Sequence, residues 1–162
     1  MTQPNHTSER HLYLFALAVT PLEVGRVYDE LPLHCTFMFR FWSALQADGL
    51  AAAAAPIFEA ASVITLTPYE HTHLGPNQVG AHVVEKTPEL MGLHMQLHDL
   101  LIALDAEFTK PQWVGEGYKP HITDRADESV APGQPLHCPA AYLIEVIDGR
   151  RVVRSRFMLP LS

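Results

Sequence analysis

Cysteine is nearly missing: the 162 residues contain two, Cys35 and Cys138, far apart and outside any C-x-x-C pattern. That excludes a disulfide framework and a zinc ribbon. Cations are sparse as well, with 11 Lys and Arg against 18 Asp and Glu and a formal net charge of −7. Extensive duplex nucleic-acid binding is excluded, because affinity for a phosphate backbone needs clustered positive charge. A few cations and backbone amides still suffice for a small phosphorylated ligand or the end of an RNA. Long apolar runs are absent too. The uncharged apolar stretches at residues 12–22 and 49–57 fall short of the roughly 20 residues that span a bilayer. No membrane contact is expected. Residues 1–10 are polar and carry Glu9, and the apolar run behind them stops at Thr20-Pro21. This reads as a loose, flexible terminus without a secretory leader, on a cytoplasmic protein.

What is present is material for a core: 48% of the residues are hydrophobic and 9% aromatic, enough for one domain over residues 11–162. Residues 11–20 (HLYLFALAVT) and 33–41 (LHCTFMFRF) read as strands, the second headed by Pro32, a residue suited to a strand start. An alanine-rich stretch, 42–55, reads as a helix that Pro56 should end. Residues 62–68 return as a strand, 71–80 as a turn cluster around Gly75, Pro76 and Asn77, and 79–84 as another strand. Thr87-Pro88-Glu89 opens a helix with its own N-cap, and Leu90, Leu93, Leu97, Leu101, Leu104 and Phe108 form one apolar stripe. Asp148-Gly149 between two apolar runs signals a hairpin. The order of elements predicts an α+β fold with mainly antiparallel pairing.

Two short motifs carry the chemistry. His34-Cys35-Thr36-Phe37 and His121-Ile122-Thr123-Asp124 both lie on predicted strands behind a proline, Pro32 or Pro120. Strand residues two apart share a face, so each motif presents an imidazole beside a hydroxyl and turns Cys35 or Ile122 toward the core. A pair of imidazoles supplies a general base and a general acid near neutral pH with no metal. A stiff β-branched threonine donates a hydrogen bond to a phosphate oxygen. Two such motifs facing each other would grip a phosphodiester from both sides. The opposite facing of Cys35 and His34 argues against a cysteine nucleophile.

The chain resembles the 2H phosphoesterase superfamily, which includes 2'-5' RNA ligase-like proteins and 2',3'-cyclic phosphodiesterases. The resemblance is carried by HCTF at 34–37, YKPHIT at 118–123, the opening strand HLYLFAL, the amphipathic helix before the second motif, and the 87-residue spacing of His34 and His121. It implies a bilobal fold, two antiparallel sheets with flanking helices around a central cleft. It also implies cofactor-free and metal-free action of catalytic His34 and His121 on a 2',3'-cyclic phosphate or a 2'-5' linkage, with phosphate bound by Thr36 and Thr123. The partner implied is a small cyclic-phosphate nucleotide or an RNA end, and the protein is expected to be a monomer. The chain departs from the family pattern where Asp124-Arg125 follows the second H-x-T, His121 to Thr123, instead of an apolar residue. Arg125 shares the parity of His121 and Thr123 and is a candidate phosphate contact. Tyr118 and Lys119 are candidates to stack on a base and to meet phosphate, and Tyr13 and Phe15 to floor the pocket. Two alternatives stand beside this reading. One is a binding module of the same fold without catalysis. The other is a metallohydrolase using His71 and His73 or His94 and His98, pairs that lack an acidic partner nearby in sequence.

Overall fold

The computed structural model describes residues 9–126 and 128–160; residues 1–8 of the expected loose terminus lie outside that range. Eleven strands and two α-helices follow one another as β1 (His11–Ala18), β2 (Val27–Tyr28), β3 (His34–Ser43), α1 (Ala47–Glu59), β4 (Thr65–Leu66), β5 (Pro68–Leu74), β6 (Val79–Val84), α2 (Pro88–Ala103), β7 (Glu107–Phe108), β8 (His121–Thr123), β9 (Leu136–His137), β10 (Ala140–Ile147) and β11 (Arg150–Met158). The fold is α+β. A nine-stranded antiparallel sheet has the order β2-β11-β10-β1-β3-β8-β6-β5, with β7 also on β3, and β4 and β9 form a two-stranded ribbon. The large sheet divides naturally into two halves. On one side β1, β3, β10 and β11 are long and fully laddered, and on the other β5, β6 and β8 form a smaller ladder. The halves meet through the pairing of Cys35 with Ile122.

Both helices cover one face of this sheet, and the main core lies beneath them. Tyr13, Phe15, Leu17, Cys35 and Phe37 from β1 and β3 pack there with Phe58 of α1 and Leu90, Leu97 and Leu101 of α2. On the opposite face Leu14, Ala16 and Ala18 meet Leu22, Tyr28 and Leu31 of the segment joining β1 to β3, forming a second, smaller core. That segment bears directly on the site, because it walls the face on which β3 displays His34.

Several boundaries differ from the sequence reading for identifiable reasons. Helix α1 runs through Pro56 to Glu59. Pro56 and Ala52, whose carbonyl loses its partner, are both exposed, so that carbonyl faces solvent while Leu50, Ala54 and Phe58 stay buried. The turn expected over 71–80 contracts to the residues after Leu74, and His71, Thr72 and His73 belong to β5. The α2 stripe ends with the helix at Ala103, and Phe108 lies on β7 opposite Phe41. Other signals hold. Thr87 Oγ1 accepts the Leu90 N–H at 3.2 Å, and Asp148 and Gly149, with φ of 50° and 77°, make the two-residue turn between β10 and β11.

Candidate active site

The pairing of Cys35 with Ile122 positions the two motifs. In antiparallel register it sets His34 beside Thr123 and Thr36 beside His121, related by a local two-fold axis between the two strands. Cys35 and Ile122 are fully buried, whereas His34, Thr36, His121 and Thr123 are half-buried on the other face. The alternation of a strand thus separates core side chains from reactive ones. Diagonal neighbours in a regular ladder stand about 7 Å apart at Cβ, so the two imidazoles can straddle a phosphate group while the threonines flank it.

The two-fold relation extends to the hydrogen bonds. His34 Nδ1 lies 2.8 Å from the carbonyl of Pro32, and His121 Nδ1 lies 3.0 Å from the carbonyl of Lys119. Each carbonyl, two residues upstream, accepts the Nδ1 proton and fixes the tautomer. Nε2 is left as the working nitrogen in both rings; among the described residues neither Nε2 has a partner. The environments of the two rings differ. Burial, aided by the positive charges of Arg125, His121 and Arg151, outweighs the Pro32 hydrogen bond and lowers the His34 pKa to about 4. His34 is therefore a neutral imidazole, a proton acceptor, at physiological pH.

Not every candidate side chain reaches this face. Tyr118 is 4% exposed, stacks on His94 with centroids 4.1 Å apart, and donates its hydroxyl to the Thr36 carbonyl at 2.8 Å. It supports the first motif from behind and is closed to a base. Tyr13 and Phe15 are buried among the side chains under the helices, on the Cys35 face; they floor the core and not the pocket. The Lys119 side chain is exposed, and its carbonyl does the work of holding His121. Arg125 is tied down: its Nε donates to the Leu31 carbonyl at 2.6 Å and lies 3.1 Å from Glu30 Oε1. It braces the segment whose next residue, Pro32, orients His34. Cys35 is no nucleophile, since burial pushes its thiol up to about 11.

Sequence reasoning missed His94. It is fully buried on α2, donating Nδ1–H to the Phe37 carbonyl at 2.9 Å and accepting the Gly115 N–H on Nε2 at 2.9 Å. It fastens α2 to β3 and to the loop that leads into the second motif. His98, one turn on, lies 3.1 Å from Asp99, so the two do not converge on an ion.

A second polar cluster was also missed, because its members come from β5, from β6 and from the residue that follows β8. His71, His82 and Asp124 bring their ligand atoms within 4.8 Å of one another and, among the described residues, could hold a metal. His71 Nε2 lies 2.7 Å from Asp124 Oδ2, while His82 Nδ1 and Asp124 Oδ1, 3.4 Å apart, are both buried without a hydrogen-bond partner. An unpaired buried polar atom of this kind costs about 1–3 kcal/mol. The cluster lies in the row of Cys35, Ile122, His82 and His71, on the sheet face opposite His34 and His121.

No family model matches the sequence, and no curated protein matches it. Solved structures do. Escherichia coli LigT complexed with 3'-AMP superposes with a TM-score of 0.60 at 18% identity, over 93% of this chain and 99% of that one. A structure described as a phosphoesterase gives 0.58 at 19% identity, with the same two coverages. The chain has the LigT fold. LigT complexed with ATP gives a TM-score of 0.56 at 18% identity over 94% of this chain and 99% of that one, so the likeness extends over nearly the whole chain. No helix among the described residues is long and apolar enough to cross a membrane.

Proposed function

We propose that this protein is a 2H-type phosphoesterase that opens 2',3'-cyclic phosphates, on a nucleotide or an RNA end, or cleaves 2'-5' linkages without a metal. The observation that carries this reading is the two-fold pairing of the H-x-T motifs across Cys35 and Ile122, each imidazole held at Nδ1 by a backbone carbonyl. The LigT complexes with 3'-AMP and ATP support a nucleotide as the ligand class. The overall acidity, −7, favours a small nucleotide or a short end over long RNA.

In the hydrolytic direction His34, neutral at physiological pH, takes a proton from water on Nε2 as the water oxygen bonds to phosphorus. His121, protonated, gives its Nε2 proton to the ribose oxygen as the P–O bond breaks. Thr36 and Thr123 donate their hydroxyl protons to the non-bridging oxygens, where charge grows in the transition state. The lowered His34 pKa supports this division of labour. Ligation is the same displacement with a ribose 5'-hydroxyl in place of water and the same roles for the two histidines; cleavage of a 2'-5' linkage back to the cyclic phosphate is its reverse, with the roles exchanged.

The test is hydrolysis of nucleoside 2',3'-cyclic phosphates by the natural protein, His34→Ala and His121→Ala in EDTA, with the product isomer identified. Loss of turnover in both folded variants supports the two-histidine mechanism, and a 2'- or 3'-phosphate product identifies the leaving oxygen. A folded natural protein that binds cyclic nucleotides without turning them over would instead be a binding module. Activity abolished by EDTA would refute metal independence.

A further inference from the structure

We propose that His71, His82 and Asp124 form a metal site that takes a divalent ion of the zinc class and clasps β5, β6 and the end of β8. The donor set suits that ion: two imidazoles and one carboxylate, with bond lengths near 2.0–2.2 Å that set ligand atoms about 3.4 Å apart around a tetrahedral centre. His82 Nδ1 and Asp124 Oδ1 stand at 3.4 Å, and all three ligand atoms fall within 4.8 Å.

The independent sign of a ligand is the pair of orphaned atoms. His82 is 7% exposed, yet its Nδ1 meets no hydrogen-bond partner and neither does the Asp124 Oδ1 that faces it. Buried polar atoms of a native protein are ordinarily satisfied, and one cation placed between them satisfies both. The backbone leaves room for it. A Cβ on Gly80 would come within 2.8 Å of Asp124 Oδ2 and 3.1 Å of His71 Nε2, so glycine at this position keeps the cluster open. His71 and Asp124 are partly exposed, with 42% and 32% of their side-chain surface accessible, which gives an ion an entry path from solvent.

Asp124 continues the strand that bears Thr123, and its N–H bonds the Gly80 carbonyl at 2.9 Å. The ion therefore acts as a structural clasp where the β6–β8 ladder ends. It lies on the face away from the two catalytic histidines, and its binding is independent of the chemistry proposed for them.

The full-length chain, stripped with EDTA and dialysed, is titrated with Zn2+ by calorimetry and with Co2+ by visible absorption. The expected result is one ion per chain, cobalt d–d bands of a low-coordinate N/O site, and a melting temperature about 5 °C higher at a hundredfold excess over Kd. His71→Ala and Asp124→Asn should each weaken binding at least tenfold and remove the thermal shift. Circular dichroism checks their folding; the His71 side chain is exposed, so that variant decides the matter should Asp124→Asn misfold. No saturable binding below 100 micromolar, reached in the titration, would overturn the proposal. So would binding and cobalt bands unchanged in folded His71→Ala, which would mark an adventitious ion held elsewhere.

Discussion

Replacing His94 with glutamine should flatten the acid sensitivity of the fold, and the size of the effect follows from the ring's surroundings. His94 is fully buried and accepts the Gly115 N–H on Nε2. Protonating that nitrogen would set two donors against each other in a site without water. Burial, the largest cause, accordingly lowers its pKa to about 4, against about 6.5 in the unfolded chain. A folded-state pKa below the unfolded one means that the unfolded chain binds the proton more readily. The stability this histidine contributes is full above pH 6.5, falls as the pH drops from there toward 4, and falls no further once both states are protonated. Between pH 7.5 and pH 5 the loss amounts to about 2 kcal/mol from this one ring. Glutamine offers a donor and an acceptor in a similar span but does not titrate. His94→Gln should cost about 1–3 kcal/mol at pH 7.5, through imperfect hydrogen bonds. Between the two pH values it should then lose about 2 kcal/mol less than the natural protein. Urea denaturation at both pH values, with m-values compared to exclude a change of denatured state, measures the difference directly. Parallel losses in the two proteins would refute a neutral, doubly bonded His94.

Other consequences concern the reactive face. Single replacement of His34 or His121 by alanine should reduce hydrolysis of a 2',3'-cyclic nucleotide by about 10²–10⁴, measured with circular dichroism to establish folding. Thr36→Val and Thr123→Val keep the shape and remove a donor, so each should lower kcat by about tenfold or more; unchanged turnover would remove that threonine from the phosphate site. Because His34 stays neutral down to about pH 4, the acidic limb of kcat/KM should lie near pH 4, and a limb near pH 6.5 would assign the base elsewhere. Tyr118→Phe removes the hydroxyl that holds the Thr36 carbonyl and should destabilise the fold by about 1–2 kcal/mol in urea denaturation. An unchanged midpoint would show that this bond contributes nothing.

The parity of the two motifs was legible in the sequence because strand alternation is local. Once 33–41 and 118–123 read as extended, Cys35 and Ile122 had to face opposite to the histidines. The Thr87-Pro88 helix start and the Asp148-Gly149 hairpin were legible for the same reason, since each needs only its own few residues. Assigning Tyr118, Tyr13 and Phe15 needed to know which side of the sheet the helices cover, and that is a property of the whole chain. A β-bulge shifts the β1–β3 register between Tyr13 and Ala16, which no alternation rule foresees. The apolar stripe drawn through the leucines and Phe108 passed His94 by. Its two partners, Phe37 and Gly115, lie 57 and 21 residues away.

Asp124 shows why a local departure from a pattern is best read across the sheet. Where an apolar residue was expected after the second motif stands a carboxylate of the same parity as Ile122, directed to the core face. An unaccompanied carboxylate there would be expensive to desolvate. The neighbouring strands supply its company: His82 sits opposite Ile122 on β6, and His71 sits opposite His82 on β5. The three polar residues therefore account for one another as a set drawn from β5, β6 and the residue after β8, while His121 and Thr123, alternating with Ile122 and Asp124 along the same few residues, stay on the other face. One short strand thus serves two polar sites without mixing them. Gly80 completes the separation, because a side chain at that position would collide with Asp124 and His71 and push the carboxylate off the face it occupies.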